Sequence, residues 1–262
     1  MGYQRPVGDH LKSWRQRRRL SQLALACEAE ISTRHLSFVE TGRAQPSREM
    51  ILHLSDALAI PLRERNHILL AAGFAPVYPA RPLDDPALAA ARAAVQQVLA
   101  SHEPYPALAV DRHWTMIAAN RTVAPLLEGV SPSLLTGAVN ILRLALHPEG
   151  LQPRIVNFGE WRDHLLTRLR AQIEASADET LEELYAELDS YPKPKQTRAR
   201  GATPPAIAVP LVLRTQAGEL SFISTITVFG TPVDVTLSEL AIESFFPADA
   251  KTADALRALV QK

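Results

Sequence analysis

One segment near the N-terminus carries residue types suited to contacting a nucleic acid. It runs from Leu20 to Ala26 (LSQLALA), resumes at Ile31 and ends at Arg43 (ISTRHLSFVETGR). Each half begins with a serine that suits the N-cap of a short helix, and Ala26 leaves room where the two helices cross. Short polar side chains in the first turn of the second helix could reach base edges, because the major groove is wide enough for a helix. The pattern therefore indicates a helix-turn-helix.

The sequence predicts five short helices, which position this segment. The predicted helices cover residues 7–19, 22–29, 33–41, 48–58 and 61–73, with Ser21, Ser32 and Ser47 as caps and Gly42 and Gly73 as stops. Leu23, Ile31, Leu36 and Val39 are expected to form the core beneath the pair of crossing helices.

These residues resemble the helix-turn-helix of the Cro and lambdoid-repressor type, the XRE family, over about Asp9 to Phe74. The resemblance implies a DNA-backbone contact at the start of the second helix and after the third, and base contacts from the third. The implied residues are Gln22 and Arg43 for phosphate, Thr33, Arg34 and Ser37 for bases, with Ser32 and Phe38 close by. It also implies a pair between Arg15 and Glu40. The alternative, a helical bundle without a DNA role, does not explain the combined motifs.

Two further features bear on this surface. Arg17 belongs to the basic run 15–19, which could contact phosphate or simply be the solvated end of the first helix. Glu30 occupies the turn position that relatives often fill with glycine. If Glu30 adopts a left-handed conformation there, the cost is roughly 1–2 kcal/mol.

A proline-rich connector divides the chain. Three prolines fall within residues 75–82, which favours an extended linker. We expect a helical DNA-binding domain over 1–75, a linker over 76–85 and a second domain over 86–262. The charge is also divided, because residues 1–80 carry a net +4 and the remainder a net −4. This asymmetry suggests a basic binding module, although a solvated charged face is the commoner explanation.

The second domain mixes helices and strands. Helices are predicted over 86–100, around Phe158 to Ile173, around Leu181 to Leu188 and over 249–260. Strands are predicted over 105–110, 114–119, 205–215, 219–229 and 240–246. The expected fold is α+β, an antiparallel sheet packed on helices.

Two stretches, Trp114–Arg121 and Asn140–Pro148 followed by Trp161, are similar to PAS-like sensor domains. Together with the helix-turn-helix they resemble the MmyB-like regulators over nearly the whole chain. The resemblance implies a small, largely apolar ligand such as a fatty acid, held between sheet and helices. The candidate lining residues are Trp114, Met116, Phe158, Trp161, Leu165 and Phe222. Each of these side chains could instead simply fill the core.

The composition narrows the remaining classes. The eight histidines and Cys27 show no metal-ligand spacing, and no phosphate loop or nucleophile elbow is present, so we expect no enzyme, metal or cofactor. No apolar run reaches the roughly 18 residues of a membrane helix. A single cysteine and no predicted signal peptide fit a cytoplasmic protein.

The sequence thus predicts a transcription regulator that binds double-stranded DNA as a homodimer, because one recognition helix reads too few base pairs. Its second domain would sense a small apolar ligand or form the dimer. The alternative is a repressor or antitoxin-like module whose second domain binds a protein partner and no ligand.

Overall fold

The computed structural model describes residues 5–193, 209–230, 232 and 234–260. The chain forms two compact units. The helical unit contains Met1–Pro82 together with Thr231–Ser238, and the α+β unit contains Leu83–Gly230 together with Glu239–Lys262. The division at Pro82 falls within the predicted linker, whereas the second piece of the helical unit was not predicted.

The helical unit begins with five helices, close to the predicted ones. Their bounds are α1 Val7–Arg17, α2 Gln22–Glu28, α3 Thr33–Glu40, α4 Arg48–Ala57 and α5 Leu62–Ala71. The side chains of Ser21, Ser32 and Ser47 accept hydrogen bonds from the backbone N–H three residues later, so all three are N-caps.

All five of these helices end in the same way. In each, one residue adopts a positive φ and the next backbone N–H returns to a carbonyl five residues earlier, which satisfies a free carbonyl at the helix end. Gly42 and Gly73 fill this position in α3 and α5, whereas Arg19, Glu30 and Ala59 fill it in the other helices. Glu30 has a φ of 50°, so the conformation considered for the turn is present and carries the expected strain.

The core of the helical unit differs from the prediction at one position. Leu36 and Val39 are fully buried and Ile31 is half-buried, but the Leu23 side chain is 63% exposed. The prediction for Leu23 is therefore wrong. Leu25 and Ala26 define the buried side of α2, and Leu23 lies about 200° around the helix from Leu25.

The second piece of the helical unit packs on the linker. It contains the short helix α10, Val235–Ser238. The Val235 N–H donates to the Pro79 carbonyl at 2.8 Å, and Arg81 pairs with the buried carboxylate of Asp234 at 3.0 Å. The Asn66 side chain of α5 holds the other side of the linker through the backbone of Val77 and Tyr78.

The α+β unit contains the remaining helices and a five-stranded sheet. The helices are α6 Ala89–Ser101, α7 Ile141–Leu146, α8 Phe158–Ser176, α9 Glu179–Ser190 and α11 Ala250–Val260. The strands are β1 Ala107–Val110, β2 Met116–Ala119, β3 Leu211–Thr215, β4 Gly218–Val228 and β5 Ala241–Pro247. Short 3-10 turns cover Pro86–Leu88, Ala124–Leu127, Pro132–Leu134 and Gln152–Arg154.

The sheet is antiparallel throughout, in the order β2-β1-β5-β4-β3. The predicted α+β fold is confirmed. Every predicted strand is present within a few residues of its expected bounds, although residues 205–208 of the strand predicted over 205–215 lie outside the described residues. The register places Glu243 of β5 opposite Leu108 of β1 and Ile226 of β4.

The two faces of the sheet pack differently. On one face, α8, α9 and the loops before them form the main core with Leu108, Leu213 and Phe222 of the strands. On the other face, Val95 and Leu99 of α6 cover Ala107 and Ala109. The sheet is therefore covered by helices on its inner side and partly on its outer side, as expected for a layered α+β domain.

Candidate DNA-binding surface and ligand cavity

The recognition helix α3 presents a polar side that its own sequence determines. Leu36 and Val39 are fully buried, which fixes the helix against the core. Ser32 caps the helix and accepts from the His35 N–H at 3.1 Å. Arg34 is exposed, and Thr33 and Ser37 are half-buried. Thr33, Arg34 and Ser37 are the residues that are expected from the sequence to contact bases.

A closed hydrogen-bond network supports this helix from below. The Arg15 guanidinium donates from Nε and Nη2 to the two oxygens of Glu40 at 2.6 and 2.8 Å, and from Nη1 to the Leu20 carbonyl at 2.8 Å. Gln22 adds a bond to Glu40 at 2.7 Å. Burial acts to raise the pKa of Glu40, but the bonds from Arg15 and Gln22 outweigh burial and hold this pKa below its ordinary value.

Gln22 therefore has a structural contact that the sequence did not predict. It is the first residue of α2, where the resemblance places a phosphate contact. Its side-chain amide carries two N–H donors, and the bond to Glu40 uses one of them. A phosphate contact through the second donor is compatible with this arrangement.

An aromatic ring lies between two of the predicted DNA-contacting arginines. The guanidinium carbon of Arg34 lies 5.3 Å from the centre of the Phe38 ring, and that of Arg43 lies 6.0 Å from it. Both distances are in the range of cation–π contacts. Three predicted residues are thus brought together on one side of α3.

The arginines of the basic run at the end of α1 make different contacts. Arg15 is buried in the network with Glu40. Arg18 donates to the carbonyls of Leu58 and Ala59 at the end of α4, at 2.9 and 3.0 Å. Arg17 is exposed, with its guanidinium 5.9 Å from the Trp14 ring centre. Of these three side chains, Arg17 is the one best exposed for a phosphate contact.

The α+β unit contains an apolar cavity of about 80 Å³ between the sheet and the helices. Of the six candidate ligand-binding residues, Met116, Trp161 and Leu165 line it. Trp114, Phe158 and Phe222 are buried in the surrounding core cluster and are not among the residues that line the cavity. The other apolar residues that line it come from β1, β3, β5, α7 and the intervening loops: Leu108, Val123, Leu127, Ile141, Leu142, Leu144, Ala145, Leu151, Ile155, Leu211 and Phe245.

A charged pair also lines this cavity. Arg168 of α8 donates from Nη1 to Glu243 of β5 at 3.0 Å, and the Glu243 side chain is 3% exposed. The Arg168 guanidinium lies 4.3 Å from the Trp114 ring centre, and the Trp114 indole N–H is held by Gln172 at 2.7 Å. The position of Arg168 is therefore fixed by an ion pair and by an aromatic face that is itself anchored.

Three donors on the cavity lining have no hydrogen-bond partner among the described residues. They are Nε and Nη2 of Arg168 and the indole N–H of Trp161. Nε and Nη2 of an arginine share one edge of the planar guanidinium, and that edge matches the two oxygens of a carboxylate. Burying such donors without an acceptor costs about 1–3 kcal/mol each, so the arrangement can bind a group that supplies oxygen acceptors.

Sequence reasoning missed Arg168 and Glu243. One signal was present, because Trp161, Leu165 and Arg168 are spaced four and three residues apart and so share one face of a helix. An arginine in the apolar stripe of a helix needs a buried partner. Glu243 carried no comparable signal, since its partner is 75 residues away in sequence.

Two absences concern the residues that the structure describes. Over these residues, no cluster of three or more His, Cys, Asp or Glu side chains could hold a metal ion. In the same part of the chain, the apolar stretches of the helices are too short or too polar to cross a bilayer.

The two units define the class of the protein, a DNA-binding transcription regulator with a ligand-binding domain. Residues 6–68 match a helix-turn-helix domain family. Residues 91–259, well over half of the chain, match the family described as the MmyB-like transcription regulator ligand binding domain. The chain therefore belongs to the MmyB-like transcription regulators. No curated protein is similar enough to match it.

Proposed function

We propose that this regulator binds specific DNA sequences through Thr33, Arg34 and Ser37 on α3. The observation that carries this proposal is the capped helix itself, which has a buried apolar side and an opposite side that exposes Arg34. Gln22, Arg43 and Arg17 contact phosphate, and Ser32 and Phe38 complete the surface. Two copies act together, because a dimer reads two half-sites about one helical turn apart.

A pair of matched variants tests this DNA-binding surface. A specific DNA site is first selected from a random-sequence library with the purified full chain. Arg34→Ala should then weaken the selected site by roughly 1–3 kcal/mol and relax the preference at one base pair. Arg17→Ala should weaken selected and random DNA about equally and flatten the salt dependence. An equal loss on both DNAs for Arg34→Ala would contradict base reading by this residue.

We further propose that an apolar ligand with a carboxylate, such as a fatty acid, binds in the cavity of the α+β unit and controls DNA binding. The apolar lining suits the hydrocarbon part. The free edge of Arg168 and the Trp161 indole N–H suit the two oxygens of a carboxylate. Pockets for small ligands commonly combine an apolar lining with a few polar groups that fix orientation.

The size of the cavity constrains how such a ligand enters. A cavity of about 150 Å³ holds a benzene molecule, so the present 80 Å³ is too small for a long-chain acid. A long acid must displace lining side chains, whereas a short acid needs less rearrangement. Ligand length is therefore a measure of how far the cavity opens.

The ligand test uses matched compounds. Butanoate, octanoate and tetradecanoate, each paired with the alcohol of the same length, are titrated into the full chain by calorimetry. At least one acid should bind more tightly than its alcohol, and Arg168→Met should remove this difference. Alcohols that bind as well as the acids would contradict the carboxylate. Native mass spectrometry that shows a co-purifying protein and no small molecule would favour a protein-binding role instead.

A further inference from the structure

We infer that Phe38 is a positioning residue for DNA recognition. Its ring is a shared platform that holds Arg34 and Arg43 in place before DNA arrives. The inference rests on the proposed DNA-binding function and adds a specific role for one residue of that surface. The Phe38 ring contacts two arginines with different expected partners on DNA, a base for Arg34 and a phosphate for Arg43.

The first contact follows from helix geometry. Arg34 and Phe38 are four residues apart on α3, and side chains at this spacing lie one above the other on the same face. The 5.3 Å separation between the guanidinium carbon of Arg34 and the ring centre is therefore a product of the local sequence. It requires no contact from another helix.

The second contact depends on the turn after α3. Gly42 adopts a φ of 72°, and the chain folds back so that the Arg43 N–H donates to the Phe38 carbonyl at 2.8 Å. The Ala44 N–H donates to the same carbonyl at 3.1 Å. These bonds fix the Arg43 backbone beside Phe38 and bring its guanidinium carbon to 6.0 Å from the ring centre.

The burial of Phe38 argues that the ring has a task besides filling the core. Leu36 and Val39 on the same helix are fully buried, whereas Phe38 is only half-buried. An exposed aromatic face attracts a guanidinium through the ring quadrupole. The ring thereby limits the rotamers of two long side chains, which lowers the entropy that they lose on binding DNA.

The test compares variants on the selected DNA site and on random DNA. Phe38→Leu keeps an apolar side chain but removes the ring, and it should weaken the selected site by roughly five- to thirty-fold, because Arg34 and Arg43 would then lose more side-chain entropy on binding. Phe38→Tyr keeps the ring and should recover most of the affinity and base preference that Phe38→Leu loses. Phe74→Leu, another half-buried phenylalanine of the helical unit, is the matched control and should leave DNA binding unchanged.

Three readouts separate positioning from a general structural effect. In Phe38→Leu, discrimination at the base read by Arg34 should fall, and the slope of affinity against salt should flatten by up to about one phosphate contact. In the Arg34→Ala background, Phe38→Leu should cost several-fold less than it does alone, because one partner of the ring is already missing. Thermal unfolding of each variant checks that it is folded, and Phe38→Met replaces the leucine variant if that one unfolds.

Several results would overturn the inference. Unchanged affinity and base preference in Phe38→Leu would do so, and so would full additivity with Arg34→Ala, which would indicate that Phe38 touches DNA directly. A parent chain that selects no sequence from the library would refute the proposed function itself. A parent chain that selects a site that Phe38→Leu binds equally well would refute only the role of Phe38.

Discussion

The two units differ in whether their buried polar groups have hydrogen-bond partners. In the helical unit, Arg15 has partners for its Nε, Nη1 and Nη2 groups, and Glu40 is bonded by both Arg15 and Gln22. In the α+β unit, Arg168 leaves one edge of its guanidinium without a partner. All four buried side-chain nitrogens that lack a partner among the described residues belong to the α+β unit. The DNA-binding helix is thus supported by a network whose buried polar groups are hydrogen-bonded. The cavity lining of the α+β unit, in contrast, contains buried donors without a partner among the described residues.

The largest expected effect breaks the closed network of the helical unit. Glu40→Ala should lower the free energy of unfolding by about 3–5 kcal/mol, because it leaves the Arg15 charge buried without its partner. Urea unfolding followed by circular dichroism measures this change. Asp254→Ala, which removes the exposed pair with Arg257, is the control and should cost no more than about 1 kcal/mol. Similar losses of unfolding free energy in the two variants would contradict a larger stabilising effect of the buried network.

The next prediction tests whether the buried Arg168–Glu243 ion pair destabilises the fold. The double variant Arg168→Met/Glu243→Met replaces two charges by apolar side chains of similar size, and it should leave stability unchanged or raise it by about 1–4 kcal/mol. The same measurement applies, now without ligand. A loss of several kcal/mol would mean that the pair stabilises the fold, and the contrast between the two units would disappear.

The smallest effects come from a matched pair of glycines, each the second residue of a helix. In Gly8→Ala, the new Cβ would lie 2.4 Å from the Val39 carbonyl oxygen and 2.8 Å from that of Glu40. This clash with backbone should cost about 1–3 kcal/mol. In Gly159→Ala, the Cβ meets nothing within 4 Å, so stability should rise by roughly 0.5 kcal/mol. Melting temperatures that shift in the same direction would contradict the difference in packing.

Local signals explain why the helical unit was predictable. Serine caps and positive-φ residues act within a few residues of each helix end, so the bounds of α1 to α5 agree with the prediction to within about two residues. The failure at Leu23 has a local cause too, because a leucine in a short helix does not reveal which side of the helix is buried. The five predicted strands were equally accessible, since their alternation and turns are read from neighbouring residues.

Long-range pairing explains what was missed. From the resemblance to the MmyB-like regulators, Met116, Trp161 and Leu165 of the cavity lining were expected near a ligand. The charged pair of the cavity was not predicted, because Arg168 and Glu243 meet only after α8 packs on β5. The assignment of residues 231–238 to the helical unit escaped notice for the same reason, since Asp234 lies 153 residues from its partner Arg81.

The assignment of residues 231–238 to the helical unit determines where the chain can be divided into stable fragments. A fragment ending at Pro82 would lack Val235 and Asp234, whose side chains are almost fully buried against the linker. Losing the burial of one valine alone is worth about 1.5–3 kcal/mol. The helical unit is therefore discontinuous along the gene, and a protease cut or a gene fusion at the linker would separate its two pieces. A transfer of the whole helical unit to another protein must carry residues 231–238 along with the first 82.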